Sequence, residues 1–299
     1  MKRRDFLKQT AAATALVSMG GLTSGFSRPR TLTVLHTNDV HSYIDPFPMT
    51  HPKYPNRGGV ARRAAMIEQI RRESEHVLLL DAGDIFQGTP YFNFYGGELE
   101  FRLMTMMGYD VATLGNHDFD NGIDGFHAML PHAGFGFVSA NYDFSNTVLE
   151  GLVPPFKVIE KGQTRVGVFG LGVELAGLVD KKLYKETKYL DPVGVAQDVA
   201  NQLKYEKRCD IIICLSHLGY QYKNDPERIS DLNLAVATSD IDLIIGGHTH
   251  TFLERPTVVK NREGKDVLIN QTGCYGVNLG RIDFELDAPH KSVGRTIVV

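Results

Sequence analysis

Five short apolar runs in this chain each end within a few residues of a side chain that can bind a divalent cation. The runs begin at Leu32, Val77, Val111, Ile211 and Leu243. Runs of this length that are rich in Val, Ile and Leu predict buried strands. The polar side chains that follow them are Asp39, His41, Asp84, Asn116, His117, His217, His248 and His250. Because ligands bind beyond the carboxyl ends of strands in layered α/β folds, this recurrence predicts one metal-centred site.

Strand-like and helix-like segments alternate along the first half of the chain. Strands are predicted at 31–36, at 77–81 and near 111, and helices at 58–73, 98–107 and 122–132. This alternation is typical of βαβ units. Further strands are predicted at 136–140, 156–159, 166–171, 211–215 and 243–245, with a helix at 193–207, and then strands at 257–260, 266–270, 281–286 and 296–299. We expect an α/β fold in one domain, with two stacked sheets flanked by helices.

The first residues form a separate segment. Residues 2–8, KRRDFLK, resemble a twin-arginine export signal, and a weakly apolar stretch follows over residues 11–23. We expect a signal segment over residues 1–28 and one domain over 29–299, exported to the periplasm of a bacterium, with no stable membrane span after processing. Twin-arginine export carries folded proteins, which suits a protein that folds around its metal.

Composition excludes some partners and a disulfide-rich fold. The 299 residues carry a formal net charge of −3, which gives no basic footprint for a nucleic-acid polymer. The arginines between Arg57 and Arg72, including Arg63, lie among glutamates on a helix-like segment, and we interpret them as a solvated helix face. The three cysteines lie in or beside apolar runs, which predicts buried thiols at Cys209, Cys214 and Cys274.

The ligand types restrict which metals the site can hold. Asp39 and His41 combine a carboxylate with an imidazole, and Asp84 and Asn116 add two more oxygens, a set that suits manganese, zinc, iron or cobalt better than calcium. Asp84 ends the motif DAGD, in which the glycine permits a sharp turn that would place the carboxylate between two cations. Two cations held in this way could share a hydroxide. We expect Asp81, the first residue of that motif, to be structural.

Two further motifs supply histidines. The sequence GNHDFD over residues 115–120 contains His117, which is suited to proton transfer and could be oriented by Asp118 or by Asp120. The sequence GGHTH over residues 246–250 places His248 and His250 two residues apart. Its glycines permit the backbone to approach a metal or a phosphate closely.

Taken together, these motifs resemble the calcineurin-like metallophosphoesterase superfamily and, within it, the 5′-nucleotidase family. The stretches that carry the resemblance are LHTNDVH (35–41), RGGVAR (57–62), GDIFQG (83–88), GNHDFD (115–120), SHLG (216–219), GHTH (247–250) and QTG (271–273). The similarity covers roughly residues 31–287, and the combination is far more specific than any one fragment. It implies a four-layer α/β/β/α sandwich of two stacked mixed sheets flanked by helices, with 29–299 as the catalytic domain.

The resemblance also implies two metal positions. The residues around one metal would be Asp39, His41, Asp84 and His250. Those around the other would be Asp84, Asn116, His217 and His248. Asp84 would therefore bridge the two ions. Some members of the family carry Gln where His250 stands, so this chain follows the broader superfamily at that position.

Three residues next to the metals receive other roles from the resemblance. His117 would be the catalytic histidine near the leaving group, and Asp120 would be its carboxylate partner. Asn116 would contact the substrate as well as a metal.

The implied activity is metal-dependent hydrolysis of phosphate monoesters, with 5′-nucleotides as the small-molecule substrates and a bridging hydroxide as the nucleophile. The alternatives are a phosphodiesterase for cyclic nucleotides and a hydrolase for sugar nucleotides. Family nucleotidases usually have a C-terminal domain that binds the nucleoside, and this chain ends before such a domain. A further alternative is a metal-binding catalytic subunit that depends on a separate chain for that half.

A group of aromatic residues follows the Asp84 loop and is a candidate for contact with a nucleoside: Tyr91, Phe92, Phe94 and Tyr95. Such rings can stack on a base or a sugar, but packing within the fold is their more usual role. We therefore expect packing.

Overall fold

The computed structural model describes residues 30–288 and 292–299. The expected signal segment over residues 1–28 lies outside these ranges, so it stays a prediction. Within the described ranges, no helix is both long enough and apolar enough to cross a membrane.

The first sheet contains six strands. They are β1 (Thr31–Thr37), β2 (Val77–Asp81), β3 (Val111–Ala112), β4 (Gly136–Phe137), β13 (Asn278–Glu285) and β14 (Val293–Val298). Their spatial order is β14-β13-β1-β2-β3-β4. Strands β1 to β4 run parallel, and β13 and β14 extend the sheet with antiparallel pairings.

The second sheet also contains six strands, four of them parallel. Its strands are β6 (Phe156–Lys161), β7 (Thr164–Gly172), β9 (Ile211–His217), β10 (Leu243–Gly246), β11 (Thr257–Lys260) and β12 (Asp266–Asn270). Their order is β11-β12-β10-β9-β7-β6, with four parallel strands between two antiparallel edges. Two short strands, β5 (Tyr142–Asp143) and β8 (Lys188–Tyr189), form a separate pair.

The helices connect these strands. They are α1 (Val60–Glu73), α2 (Pro90–Tyr95), α3 (Glu98–Met107), α4 (Gly122–Met129), α5 (Lys181–Tyr184), α6 (Pro192–Asn201) and α7 (Asp231–Ala237). Short 3₁₀ turns cover His117–Phe119 and Leu130–His132, and a π-helical turn covers Gln202–Glu206. Local sequence explains several ends. For example, the Ser230 hydroxyl caps α7 by accepting the Asn233 N–H, and α3 stops at Gly108 in the left-handed conformation.

Alternation along the strands sorts the apolar side chains into three buried layers. In β1, Val34 packs between the two sheets, whereas Leu35 packs against the helices on the outer face of the first sheet. In β9, Ile213 packs between the sheets and Cys214 faces the helical layer on the other side. Two outer helical layers and two stacked mixed sheets confirm the predicted four-layer α/β/β/α sandwich.

Several predicted boundaries are wrong for identifiable reasons. The helix expected from residue 58 starts at Val60 because Gly58 and Gly59 both have positive φ. The helix expected to reach residue 132 ends at Met129, since Pro131 cannot continue it. The sequence analysis did not predict α2, α5, α7, β5 or β8, all of seven residues or fewer. Elements this short show too little periodicity to be recognised.

Two expectations about individual side chains have opposite outcomes. The three cysteines are free and buried, as predicted. The prediction of a solvated helix face is wrong at Arg63, which lies beneath the loop that follows β1 and is only 2% exposed. Two of its nitrogens, Nε and Nη1, have no hydrogen-bond partner among the described residues. Arg63 lies in the core, where its aliphatic stem can pack against apolar side chains. The spacing of charges along the helix therefore predicts its exposure wrongly.

His36 is a titratable group inside the sandwich. It is fully buried in β1, and its Nε2 accepts a hydrogen bond from the Asn270 side chain at 2.9 Å. Gly280 on β13 leaves room for the ring, because a Cβ there would lie 2.0 Å from His36 Nε2. Burial lowers the pKa of His36 from 6.5 to about 3.

This pKa predicts a loss of stability in acid. The contribution of neutral His36 is fully present above its unfolded pKa of 6.5 and is lost as the pH falls towards 3, because the unfolded chain takes up the proton first. We expect the free energy of unfolding to fall by about 2 kcal/mol from this group between neutral pH and about pH 5. Urea denaturation in the presence of a chelator should show that His36→Asn flattens this slope. The control is His127→Asn, a change at an exposed histidine, and an identical slope in all three proteins would contradict the prediction.

Candidate metal centre

The predicted site residues converge on one seam between the two sheets. Asp39 and His41 lie in the loop after β1, Asp84 in the loop after β2, and Asn116 in the loop after β3. From the second sheet, His217 is the last residue of β9, and His248 and His250 follow β10. The carboxyl ends of these parallel strands therefore meet across the sandwich, as the sequence predicts.

The ligating atoms form two groups. Asp39, His41 and His250 each offer one such atom, and these atoms lie within 4.8 Å of one another. A second group with the same limit contains Asp84, His217 and His248. Each group is mostly buried and combines one carboxylate with two imidazoles, a donor set that could hold a metal ion.

The two groups are adjacent. The Asp84 carboxylate is the closest link, because its Oδ2 lies 3.1 Å from His217 Nε2 and 3.8 Å from His41 Nε2. His217 Nε2 also lies 4.0 Å from Asp39 Oδ1. Asp84 therefore stands between a histidine of its own group and a histidine of the other group.

The ring nitrogens are oriented towards this shared space. His217 Nδ1 donates to the Ala82 carbonyl at 2.7 Å, which leaves Nε2 facing Asp84. That Nε2 makes no hydrogen bond among the described residues, despite the short distance to the carboxylate. His41 and His250 point their Nε2 atoms at each other, 3.0 Å apart. Ring nitrogens that converge in this way fit bound cations, since a fixed outer hydrogen bond is how proteins orient metal-binding histidines.

Asn116 belongs beside the second group. Its Oδ1 lies 2.9 Å from His248 Nδ1, so it adds a neutral oxygen to the donors around Asp84. Asn116 is 6% exposed and precedes the turn that carries His117. The structure therefore brings all seven predicted metal-binding residues together.

The electrostatics of the site favour positive charge. Asp39 and Asp84 are 0% and 1% exposed, and no lysine or arginine of the described residues forms a salt bridge with either. Burial acts to lower the pKa of His217, but Asp84 and Asp39 raise it to about 10. Burial also acts to lower the pKa of His250. The hydrogen bond with Asp39 is the largest of the contributions that raise this pKa to about 10. The carboxylates thus draw protons onto neighbouring imidazoles when no other cation is present.

The backbone is strained where the donors are attached. Five donor residues have φ in the left-handed region, namely Asp39, His41, Asp84, His248 and His250, with φ between 50° and 70°. This conformation is uncommon for residues other than glycine. Gly83 is required for a related reason, because a Cβ there would lie 2.5 Å from the Gly115 nitrogen of the neighbouring loop. Such concentrated strain is typical of functional sites.

His117 is paired with Asp120 beside the two groups. Its Nδ1 lies 2.8 Å from Asp120 Oδ2, and this hydrogen bond is the main cause of the raised pKa of His117. The His117 ring lies 5.3 Å from the ring of His41, so this ring is close to the first group. Of the two predicted carboxylate partners, the structure therefore selects Asp120.

Asp118 has a different role that the sequence analysis missed. It is fully buried and accepts four backbone hydrogen bonds. Its Oδ2 accepts the N–H groups of Gly115 and Asp84 at 2.8 and 2.9 Å, and its Oδ1 accepts those of Ile85 and Phe86 at 3.0 and 3.1 Å. Asp118 thus holds the loops after β2 and β3 together.

Two side-chain amides connect loops around the site, one between the sheets and one within the second sheet. Asn38 Nδ2 donates to Asp39 Oδ2 at 2.6 Å and to the Gly273 carbonyl at 2.7 Å, which joins the β1 loop to the segment after β12. Gln271 Nε2 donates to the Gly247 carbonyl at 2.6 Å. The motif QTG gave a signal for Gln271, whereas nothing in the spacing of Asn38 indicated its role. Asp81 lies outside both groups, where it accepts from Thr37 Oγ1 at 2.6 Å and from the Gly83 N–H at 2.9 Å, which agrees with a structural role.

The layered fold is shared with known proteins. A family model described as calcineurin-like phosphoesterase matches residues 32–252. The chain belongs to this family, whose members use divalent metals.

Within the family, the similar proteins include 5′-nucleotidases. The chain is 35% identical over 277 residues to "Snake venom 5'-nucleotidase" from Gloydius brevicauda, covering 86% of this chain and 45% of the relative. It is 33% identical to "Trifunctional nucleotide phosphoesterase protein YfkN" from Bacillus subtilis, covering 86% of this chain and 18% of that protein. The crystal structure of a 5′-nucleotidase precursor from Thermus thermophilus superposes with a TM-score of 0.82 and 36% identity, over 90% of this chain and 55% of that one. The chain therefore spans about half, or less, of the length of these relatives.

The role of Asp118 predicts a large stability effect. In Asp118→Asn, an amide N–H₂ replaces one acceptor oxygen, so two buried backbone N–H groups lose their partner. We expect a loss of about 2–4 kcal/mol in the free energy of unfolding, measured by urea denaturation of the metal-free protein. Asp198→Asn on α6, a change at an exposed carboxylate, should leave stability within about 0.5 kcal/mol of the parent chain. An Asp118→Asn variant as stable as the parent would contradict the assigned role.

Proposed function

We propose that this chain hydrolyses phosphate monoesters at a centre of two divalent ions, with 5′-nucleotides as the substrate class and residues 29–299 as the catalytic domain. The observation that supports the proposal is the pair of adjacent donor groups around Asp39 and Asp84, with the His117–Asp120 pair beside them. The 5′-nucleotidases among the similar proteins support the same substrate class.

Each ion would have its own set of ligands. Those of one ion would be Asp39, His41, Asp84 and His250. Those of the other would be Asp84, Asn116, His217 and His248. Asp84 would bridge them, which fits its position between His217 and His41. Nitrogen and oxygen donors without a thiolate support manganese, zinc, iron or cobalt as the metals.

The charge of the site suits a phosphate dianion. When bound, two divalent ions would polarise the phosphoryl oxygens and activate the attacking water. The two carboxylates, Asp39 and Asp84, neutralise only part of such a charge, so the site would attract phosphate without lysine or arginine. The neutral side chain of Asn116 adds no charge of its own and can donate from its Nδ2 to a phosphoryl oxygen.

His117 would donate a proton to the leaving group. Its Nδ1 is held by Asp120, which leaves Nε2 free to donate to the leaving oxygen as the ester bond breaks. Asp120 also stabilises the imidazolium form, because its hydrogen bond raises the pKa of His117. Asp120 therefore both orients the acid and keeps it charged.

We propose that this chain acts in the periplasm. The KRRDFLK sequence near the N-terminus supports export by the twin-arginine route to the periplasm. Export after folding would let the metals bind before the protein leaves the cytoplasm.

The proposal predicts metal-dependent turnover by the isolated chain. The full chain should contain two metal ions per molecule by elemental analysis and should hydrolyse an aryl phosphate and AMP. A chelator should abolish both activities, and manganese or zinc should restore them. In Asp84→Ala the metal content should fall, because both ions lose a ligand. A chelated enzyme that keeps its full activity would refute the dinuclear centre.

Other outcomes of this experiment assign other functions. Turnover of a cyclic nucleotide or of a sugar nucleotide in place of AMP would favour a phosphodiesterase or a diphosphate hydrolase. The trifunctional Bacillus subtilis relative makes that panel necessary. Turnover of the aryl ester alone would indicate that a separate chain recognises the nucleoside.

The role of His117 predicts a dependence on the leaving group. We expect His117→Asn to lower kcat on the order of a hundredfold for an alkyl ester such as AMP, because its poor leaving group needs a proton. The loss should be much smaller for a nitrophenyl phosphate, whose leaving group departs without help. Metal content should remain at the parent level, since His117 lies outside both donor groups. Equal losses for the two esters would argue against proton donation, and the exposed change His127→Asn should affect neither.

A further inference from the structure

A cluster of aromatic rings lies beside the first donor group. Its members, which we call the aromatic wall, are Tyr43, Phe47, His51, Tyr54, Phe252 and Tyr275. The ring of Tyr275 lies 5.9 Å from that of His41 and 5.7 Å from that of His250. The ring of Tyr43 lies 4.4 Å from Tyr275, and that of Phe47 lies 5.0 Å from Tyr43. The wall is thus continuous with two of the donor residues.

Tyr275 is held in an unfavourable backbone conformation. Its φ is 63°, in the left-handed region, and it lies between Gly273 and Gly276, which also have positive φ. A large side chain at such a position is a genuine outlier, and a glycine would be free of this cost. The Tyr275 N–H donates to the Asp39 carbonyl at 2.7 Å, which ties the ring to the donor loop. Strain of this kind is maintained where the side chain itself is needed.

Apart from Tyr54, which is 5% exposed, the wall is not an ordinary part of the core. Aromatic rings elsewhere in the structure, such as Phe86 and Phe101, are fully buried. In the wall, Tyr43, Phe47 and Tyr275 are only partly buried, and Phe252 is 42% exposed. These rings therefore leave apolar surface open at the edge of the candidate metal centre.

The loop that carries most of the wall is pre-organised. Four prolines lie within residues 46–55, and proline fixes φ and so limits the motion of the loop. The Lys53 ammonium lies 5.1 Å from the centre of the Tyr54 ring and 5.6 Å from that of Phe252, where cation–π attraction holds it. A rigid aromatic surface loses little entropy when a flat ligand binds.

The position of the wall determines which part of a substrate reaches it. The His41 ring touches the wall through Tyr275 and lies 5.3 Å from the ring of His117. A leaving group protonated by His117 therefore departs within reach of the wall. We propose that the aromatic wall binds the nucleobase of a 5′-nucleotide by stacking, so that this chain recognises its leaving group itself. This inference rests on the proposed function and deepens it.

The rings of α2 provide a contrast. Of the aromatic residues after the Asp84 loop, Phe92 is buried against Phe86 at 5.3 Å, as the packing prediction expects. Phe94 is 83% exposed, so that prediction is wrong for it. Tyr91 donates to the exposed Asp45 carboxylate at 2.7 Å. Phe94 therefore offers an exposed aromatic residue outside the wall as a matched control.

The test compares AMP with ribose 5-phosphate, which has the same ester and charge but no base. For the parent chain, kcat/KM should be higher with AMP. In Tyr275→Asn, which accepts the left-handed backbone, and in Tyr43→Leu, the loss with AMP should exceed the loss with ribose 5-phosphate by about tenfold, as expected for one stacked base. Phe94→Ala should match the parent with both esters. Thermal denaturation and metal content would verify that each variant is folded and loaded.

The outcomes separate this inference from the proposed function. If the metal-loaded parent hydrolyses neither ester, the proposed function itself fails. If it hydrolyses both with equal kcat/KM, or if the wall variants lose both activities equally, only the wall is refuted as a base site. Wall variants with unchanged kinetics but an altered oligomeric state in solution would assign the surface to a contact between chains instead.

Discussion

The structure depends on two buried carboxylates whose basic partners are histidines, with no lysine or arginine of the described residues beside them. Asp39 and Asp84 lie at the seam where the strand ends of the two sheets meet, and the described residues give neither of them a lysine or arginine. Leaving a buried charge uncompensated costs several kcal/mol, so the fold needs cations at this seam. The histidines that approach these carboxylates would supply ligand nitrogens to bound metals and carry protons in the absence of metal. Metal binding at this seam would therefore be coupled to the stability of the sandwich.

The rest of the seam keeps the donors close despite local strain. Left-handed backbone at Asp39, Asp84 and His248 would relax unless neighbouring contacts prevented it. Asp118 provides such contacts, since its carboxylate accepts backbone N–H groups from the loop that carries Asp84 and from the loop that carries Asn116. Asn38 does the same between the sheets. These residues hold the donor loops in place.

The sequence predicts the parts of this arrangement that follow from periodicity. The strands before Asp39, Asp84 and His217 are apolar enough to be recognised in the sequence. Because these three residues lie at or just after strand ends, the sequence also predicts that their side chains converge on one site. Asp118 could not be distinguished from Asp120 in this way, because its role depends on where four backbone N–H groups point. The sequence predicts an exposed Arg63, because charged side chains on a helix usually face solvent. In the structure, the loop after β1 covers it. Such errors arise where tertiary contacts override a local pattern.

The sequence did not predict the aromatic wall, because the wall also depends on tertiary contacts. Its rings come from the loops after β1, β10 and β12, so residues more than two hundred positions apart in the chain meet there. Their link to the chemistry is the hydrogen bond from the Tyr275 N–H to the Asp39 carbonyl, which makes the ring and a donor residue parts of one rigid unit. Stacking energy gained by a base on this unit can therefore be used to position the phosphate at the reacting centre. In this arrangement, recognition of the leaving group and catalysis depend on the same loop.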